Sequence, residues 1–116
     1  MIKVMCSCHV FVMASLIENS PNTLGESMIL GIPSITSYNG GVSDMALDGH
    51  SALFYRAEDP VLLAGRIKEI FDNDKLALKL SLNARKQALE THDPIKNRDK
   101  LLNAYKNIIN GVTYTC

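Results

Sequence analysis

The sequence has few cysteines, no excess of charge of either sign and no long apolar run. Its 12 basic and 12 acidic residues cancel, so the overall charge attracts neither nucleic acid nor an anionic membrane. Its apolar runs are shorter than the ~20 residues that a membrane-spanning helix needs. We therefore expect no nucleic-acid partner and a single small globular unit within 116 residues.

The three cysteines show no framework spacing, and their odd number favours a reducing compartment such as the cytoplasm. Cys6 and Cys8 stand next to His9, but no further cysteine or histidine pair completes a tetrahedral metal site, and Cys116 is at the other end of the chain. We therefore predict no metal ion. We expect Cys6 and Cys8 to be small, half-buried residues that lead into a strand.

The order of the apolar segments predicts an α/β fold. A continuous apolar and β-branched run, typical of a parallel strand buried on both faces, occupies residues 9–15, and two further short strands are predicted at 33–37 and 51–55. Amphipathic patterns predict a helix after the first strand, one helical turn from Ser43, and further helices at 61–71, 72–92 and 94–110. Three strands are few for a doubly wound sheet, which usually has five or six. We therefore predict a single partial domain over 1–116, with a β/α core at 9–59 and C-terminal helices at 60–116.

The stretch ENSPNTLGE, residues 18–26, leaves the carboxyl end of the first strand, where open α/β sheets bind ligands. The following helix offers free N–H groups and the positive end of its dipole, which suit phosphate. Glu18 and Glu26 would repel phosphate, but carboxylates accept hydrogen bonds from sugar hydroxyls. A phosphate site between two carboxylates that accept from sugar hydroxyls would suit a nucleotide-sugar.

A structural explanation of the same residues stays open at this point. Ser20 or Asn22 can cap the helix, and Thr23 and Glu26 have the spacing of a capping box. Glu18 could then be a solvated loop residue. Gly25 counts against this explanation, because a glycine inside a helix costs ~1 kcal/mol relative to alanine. Close approach of a ligand or of a neighbouring backbone would account for it.

The segment from residue 8 to residue 92 resembles the C-terminal nucleotide-sugar-binding domain of the retaining GT-B fold glycosyltransferases of the group 1 family. In particular, it looks like the second half of that Rossmann-like domain. The matching features occur in the family's order and spacing: Glu18 and Glu26, Gly31-Ile32-Pro33, Gly40-Gly41-Val42, Asp48-Gly49, Asp59-Pro60 and Asn83-Ala84-Arg85.

The resemblance implies a role for each residue of the candidate site. Glu26 would bind the ribose hydroxyls of the donor nucleotide, and Glu18 would contact hydroxyls of the transferred sugar. The backbone amides of Asn22, Thr23 and Leu24 would hold the diphosphate. The implied reaction transfers a sugar from a nucleotide-diphosphate-sugar with retention of configuration and needs no metal or other cofactor.

Two neighbouring loops complete what the resemblance implies. Gly40 and Gly41 would shape the loop that faces the interdomain cleft. Where the family often has a Gly-Phe-Gly-like turn after the first glutamate, this chain has residues 19–22 as Asn-Ser-Pro-Asn, which leaves the identity of the donor open. His50 and His92 are expected to be surface or capping residues, because the cleft histidines of this family belong to its other domain.

The family's enzymes have an N-terminal acceptor domain and a first half of the C-terminal domain, which supplies an Arg/Lys pair to the donor phosphates. Neither has a counterpart in this sequence, so we expect the chain to be a fragment that is inactive alone. The parent enzyme would be cytoplasmic, with the inner face of a membrane as one possible place of action.

The absent half would also leave an edge of the predicted sheet uncovered. The strand at 9–14 would then expose unpaired backbone groups, which predicts a homo-oligomer built partly on this edge. The last helix, with Tyr105, Ile108 and Ile109, would fold back on its own sheet or join the oligomer contact. The alternative function is a non-catalytic α/β module that acts in self-association or as a subunit.

Overall fold

In the computed structural model, which describes residues 1–19 and 21–111, three parallel strands lie between helices in the order β1-β2-β3. The α/β class and the parallel three-stranded sheet predicted from the sequence are confirmed. Within the described ranges, no helix is long and apolar enough to cross a membrane. The elements are α1 Ile2–Cys6, β1 Phe11–Met13, α2 Asn22–Ile29, β2 Ser34–Ser37, α3 Val42–Met45, β3 Leu53–Tyr55, α4 Pro60–Asp72, α5 Asp74–Thr91 and α6 Pro94–Ile109.

The central strand β2 is buried along its whole length, whereas the edge strand β1 is only partly buried. Phe11 pairs with Ser34, and Ile35 lies between Val12 on one side and Leu53 on the other. The prediction that the first strand is buried on both faces is therefore wrong for most of β1. Its outer edge has no neighbouring strand among the described residues, and the strand is shorter than predicted.

Apolar side chains fill both faces of the sheet. On one face, Met13 and Phe54 pack with α2, α3 and α5 through residues such as Leu24. On the other face, Ile35 and Tyr55 pack with α4 and α5. Helices on both faces are what a parallel sheet needs in order to exclude water from its two apolar surfaces. This arrangement leaves the carboxyl ends of the strands free to carry loops.

The N-terminal residues differ from the prediction. Instead of leading directly into a strand, they form the short helix α1, and Cys6 and Cys8 are exposed rather than half-buried. At the end of α1, the hydroxyl of Ser7 (2.7 Å) and the thiol of Cys8 (3.1 Å) both donate to the carbonyl oxygen of Val4. Cys116 lies outside the described residues.

Helix α6 also differs from one of its predicted arrangements. It begins at Pro94, where the side chain of Asp93 accepts from the N–H groups of Ile95 and Lys96 at 2.9 and 3.1 Å. None of its side chains is buried, and Tyr105 is 58% exposed. The expectation that α6 folds back on its own sheet is therefore wrong, because its apolar face contacts no core. A role in an oligomer contact stays a prediction.

Candidate functional site

The turn that carries Glu18 is attached to the carboxyl end of β2. The hydroxyl of Ser37 donates to the carbonyl oxygen of Ser15 at 2.6 Å. The Nδ2 group of Asn39 donates to the same carbonyl oxygen and also to Oγ of Ser37, the latter at 2.9 Å. Two loops that are distant in sequence therefore meet beyond the carboxyl ends of the strands, where α/β proteins bind ligands.

Gly40 and Gly41 lie directly against the backbone of this turn. A Cβ atom on Gly40 would overlap the carbonyl oxygen of Glu18, and a Cβ atom on Gly41 would overlap that of Asn19. Gly40 also has φ of +44°, in the left-handed region that favours glycine. This close packing explains why both positions are glycine. Their position at an interdomain cleft stays a prediction.

Helix α2 begins with backbone N–H groups that no described side chain caps. Pro21 is its N-cap, and no side-chain capping bond is present there among the described residues. Asn22 is the first helical residue, so the prediction that Asn22 caps the helix is wrong, and Ser20 lies outside the described residues. Thr23 is inside the helix and cannot be the capping residue of a T-x-x-E box. The capping-box explanation of Glu26 is therefore wrong, because the helix begins too early.

Glu26 is half-buried one turn into α2, and its Oε2 atom is buried without a hydrogen-bond partner in the described part of the chain. Side chains on a helix point back towards its N-terminus, so this carboxylate is directed towards the first turn, on the face it shares with Asn22 and Thr23. A buried carboxylate oxygen without a partner is unfavourable unless a donor satisfies it. The described residues therefore leave this oxygen atom as an acceptor without a donor.

The side chains of His92 and Met45 lie nearest to Gly25, and the expected approach of a ligand to this glycine stays a prediction. A Cβ atom there would lie 3.1 Å from Nε2 of His92 and 3.5 Å from Cε of Met45. His92 is exposed and is the C-cap of α5, which confirms its predicted place as a surface or capping residue. His50 is exposed as well, and its carbonyl oxygen accepts from Nδ2 of Asn83 at 3.0 Å.

Asp48 holds the loop that follows β2 close to β3. Its Oδ1 atom accepts from the N–H of Phe54 at 2.9 Å, and its Oδ2 atom accepts from the hydroxyl of Tyr38 at 2.8 Å. The hydrogen bond to Asp48 raises the pKa of Tyr38, because it favours the neutral phenol beside a carboxylate. The sequence had matched the Asp48-Gly49 pair to a family pattern without assigning it this contact.

The charge of the candidate site comes from carboxylates and from the helix terminus. No lysine or arginine occurs between Lys3 and Arg56, so the residues that form β1, α2 and β2 contain no basic side chain. A diphosphate here would contact the positive end of the α2 dipole. In the described ranges, no group of three or more His, Cys, Asp or Glu residues could hold a metal ion.

Sequence reasoning placed Glu18, Glu26 and the first turn of α2 in one site, and the structure adds two residues to their surroundings. Ser37 and Asn39 were not predicted, although both are polar residues at the end of a predicted strand just before a Gly-Gly pair. Polar side chains at a strand end were the signal that could have identified them. The proposed contacts of Glu18, Asn22, Thr23, Leu24 and Glu26 with a ligand stay predictions.

Comparison with known proteins links this arrangement to enzymes that transfer sugars. Over 107 residues the chain is 29% identical to 2-deoxystreptamine N-acetyl-D-glucosaminyltransferase of Niallia circulans. Over 86 residues it is 28% identical to the GalNAc-alpha-(1->4)-GalNAc-alpha-(1->3)-diNAcBac-PP-undecaprenol alpha-1,4-N-acetyl-D-galactosaminyltransferase of Campylobacter jejuni. These matches cover 90% and 73% of this chain, which spans only 28% and 22% of the length of the two curated relatives.

Solved structures share the fold. The Anabaena protein HepE in complex with UDP superposes with a TM-score of 0.85 at 17% identity, over 90% of this chain and 29% of that one. Sucrose-phosphate synthase of Thermosynechococcus elongatus gives 0.82 at 21% identity, over 93% and 27% of the two chains. These similarities confirm the Rossmann-like fold of a GT-B domain.

The family model for glycosyl transferases group 1 matches residues 1–87, which is most of the chain. The predicted resemblance is therefore confirmed by a comparison that covers β1, β2, β3 and the loops between them. This chain belongs to the group 1 glycosyl transferase family, as part of the carboxyl-terminal domain.

Proposed function

We propose that this chain carries part of the donor site of a glycosyltransferase, with a nucleotide-diphosphate-sugar bound across the start of α2. The buried, unpaired Oε2 atom of Glu26 beside an uncapped helix terminus is the observation that carries the proposal. The carboxylate accepts from ribose hydroxyls, and the amides of Asn22, Thr23 and Leu24 bind the diphosphate. Support also comes from the fold neighbour HepE of Anabaena, which has been crystallised with UDP and with UDP-glucose.

Glu18 contacts the hydroxyl groups of the transferred sugar. It lies at the other end of the same stretch, half-buried in a turn that is fixed to the end of β2. A carboxylate in this place can accept two hydrogen bonds from neighbouring sugar hydroxyls, and it would repel a phosphate group. The sugar therefore extends from the diphosphate towards Glu18, away from Glu26.

The chain alone does not transfer sugar. Residues 4–55 have no lysine or arginine that could neutralise the departing diphosphate, and helix amides alone rarely stabilise so much charge. The complete enzyme would supply the missing cations and the acceptor site, and it would transfer with retention and without a metal. Incubation of the chain with UDP-glucose and a sugar acceptor should release no UDP. The anomeric configuration of the product of the complete enzyme, observed by NMR, tests retention.

The binding test uses UDP and its 2′-deoxy analogue, which lacks one ribose hydroxyl. If Glu26 binds the ribose, Glu26→Gln should weaken UDP binding by about tenfold, the value of one hydrogen bond to a charged group. The same variant should change the affinity for 2′-deoxy-UDP much less. The control is Glu90→Gln, because Glu90 is an exposed carboxylate on α5. GDP is titrated in parallel, since the base is not assigned.

If Glu26→Gln weakens the binding of UDP and of 2′-deoxy-UDP equally, Glu26 does not bind the ribose. No amide shift in residues 18–26 with any of these nucleotides at millimolar concentration would refute donor binding by this chain. That outcome would favour the second candidate function, a non-catalytic module that associates through exposed surfaces. The uncovered apolar face of α6, with Leu101, Tyr105 and Ile109 exposed, is the observation in favour of this alternative.

A further inference from the structure

The apolar side chains of the turn that carries Glu18 are exposed to solvent. Leu16 and Ile17 are 58% and 88% exposed, and residues 14–19 form neither helix nor strand. Exposed loop segments with few buried contacts open most easily in folded proteins. A carboxylate that selects a sugar must nevertheless keep one position. Contacts from elsewhere in the chain must therefore hold this turn.

The holding contacts come from the end of the central strand. Ser37 is fully buried at the end of β2, and its hydroxyl donates to the carbonyl oxygen of Ser15 at 2.6 Å. Nδ2 of Asn39 donates to the same carbonyl oxygen and to Oγ of Ser37. Because β2 lies between β1 and β3, these bonds attach the turn to the middle of the sheet.

The amide of Asn39 can serve this carbonyl in only one orientation. Its Oδ1 atom is buried and has no hydrogen-bond partner in the described part of the chain. Turning the amide by half a rotation would place Oδ1 against the carbonyl oxygen of Ser15, and two acceptors would then face each other. An aspartate has the same shape but no donor, so it would create this repulsion. The position therefore needs an N–H donor rather than a polar group in general.

We propose that Asn39 is a positioning residue of the donor site, which acts through Ser15 to hold the turn that presents Glu18 to the transferred sugar. Gly40 and Gly41 follow Asn39 directly and lie against the carbonyl oxygens of Glu18 and Asn19 in the same turn. The inference rests on the proposed function, because that function assigns the sugar to Glu18. It adds to that function a residue that does not touch the donor.

The first test needs no ligand. Nitrogen-15 relaxation is measured for the amides of residues 16–19 in the wild-type chain, in Asn39→Ala and in Asn39→Asp. Order parameters near the rigid value of about 0.85 in the wild type should fall below about 0.6 in both variants. The matched control is Asn83→Ala, since Asn83 also donates from Nδ2 to a loop carbonyl, that of His50, at 3.0 Å. Unchanged order parameters in both Asn39 variants would overturn the inference.

The second test compares UDP-glucose with UDP. The wild type should bind UDP-glucose more tightly than UDP. Asn39→Asp should weaken the binding of UDP-glucose about tenfold, whereas its affinity for UDP should stay within about twofold of the wild-type value. A merely structural role would weaken both ligands equally, which contradicts positioning of Glu18. If the wild type binds neither nucleotide, the proposed function fails. The relaxation data then still decide whether Asn39 holds the turn.

Discussion

Replacing Gly40 by alanine should strongly destabilise the protein. The new Cβ atom would overlap the carbonyl oxygen of Glu18, which is backbone and cannot rotate away. The φ of +44° adds the cost of a left-handed conformation for a residue with a Cβ atom, about 1–2 kcal/mol. Displacing the turn to relieve the overlap adds about 1–3 kcal/mol, the usual cost of overpacking. We therefore expect a loss of about 2–5 kcal/mol in the free energy of unfolding.

Urea and thermal unfolding, followed by circular dichroism, measure this loss. For a chain of this size, about 4 °C of Tm per kcal/mol gives a decrease of about 8–20 °C. Gly65→Ala is the control, because a Cβ atom at Gly65 would meet nothing within 4 Å in the interior of α4. That variant should gain about 0.5–1 kcal/mol from helix propensity. A Gly40→Ala protein within about 0.5 kcal/mol of the wild type would refute the packing described for the two loops.

Three further predictions concern charge, capping and assembly. The pKa of Tyr38 is raised, so its hydrogen bond to Asp48 stabilises the fold fully below the ordinary tyrosine pKa of about 10 and is lost as the pH rises through the folded pKa. The free energy of unfolding of the wild type should therefore fall relative to that of Tyr38→Phe between pH 9 and pH 12. Parallel pH curves for the two proteins would contradict this. Asp59→Ala should lower the free energy of unfolding by about 1 kcal/mol, because Asp59 caps α4. Asp99→Ala on the exposed helix α6 should lower it by less than about 0.5 kcal/mol, and urea unfolding measures both values. The open edge of β1 predicts self-association, so light scattering should show a mass above that of the monomer, and a monodisperse monomer at high protein concentration would count against it.

The strands and the parallel sheet could be predicted because short strand-like segments that alternate with helical patterns are typical of this architecture. The paired glutamates and the helix start were also visible, since they are local in sequence. Helix α1 was missed because its five residues carry only one buried side chain, Met5. The exposure of α6 could not be predicted, because an amphipathic pattern shows that an apolar face exists but not what covers it.

The parts of the site that the sequence did not reveal depend on contacts between distant residues. Asn39 bonds to a carbonyl 24 positions earlier in the chain, and a local pattern contains no information on such a pair. The prediction of a capping box at Thr23 was wrong for a related reason. The spacing was correct, but the helix begins at Asn22 after Pro21, which only the backbone conformation shows. The failure of this explanation leaves Glu26 as a carboxylate that needs a partner.

A crystal structure of this chain with UDP-glucose tests the central claim most directly. The account predicts ribose hydroxyls at about 2.5–3.0 Å from the carboxylate of Glu26 and diphosphate oxygens on the amides of Asn22, Thr23 and Leu24. The glucosyl group should lie beside Glu18. A nucleotide bound elsewhere on the chain, or bound here while Oε2 of Glu26 stays without a partner, would contradict the account.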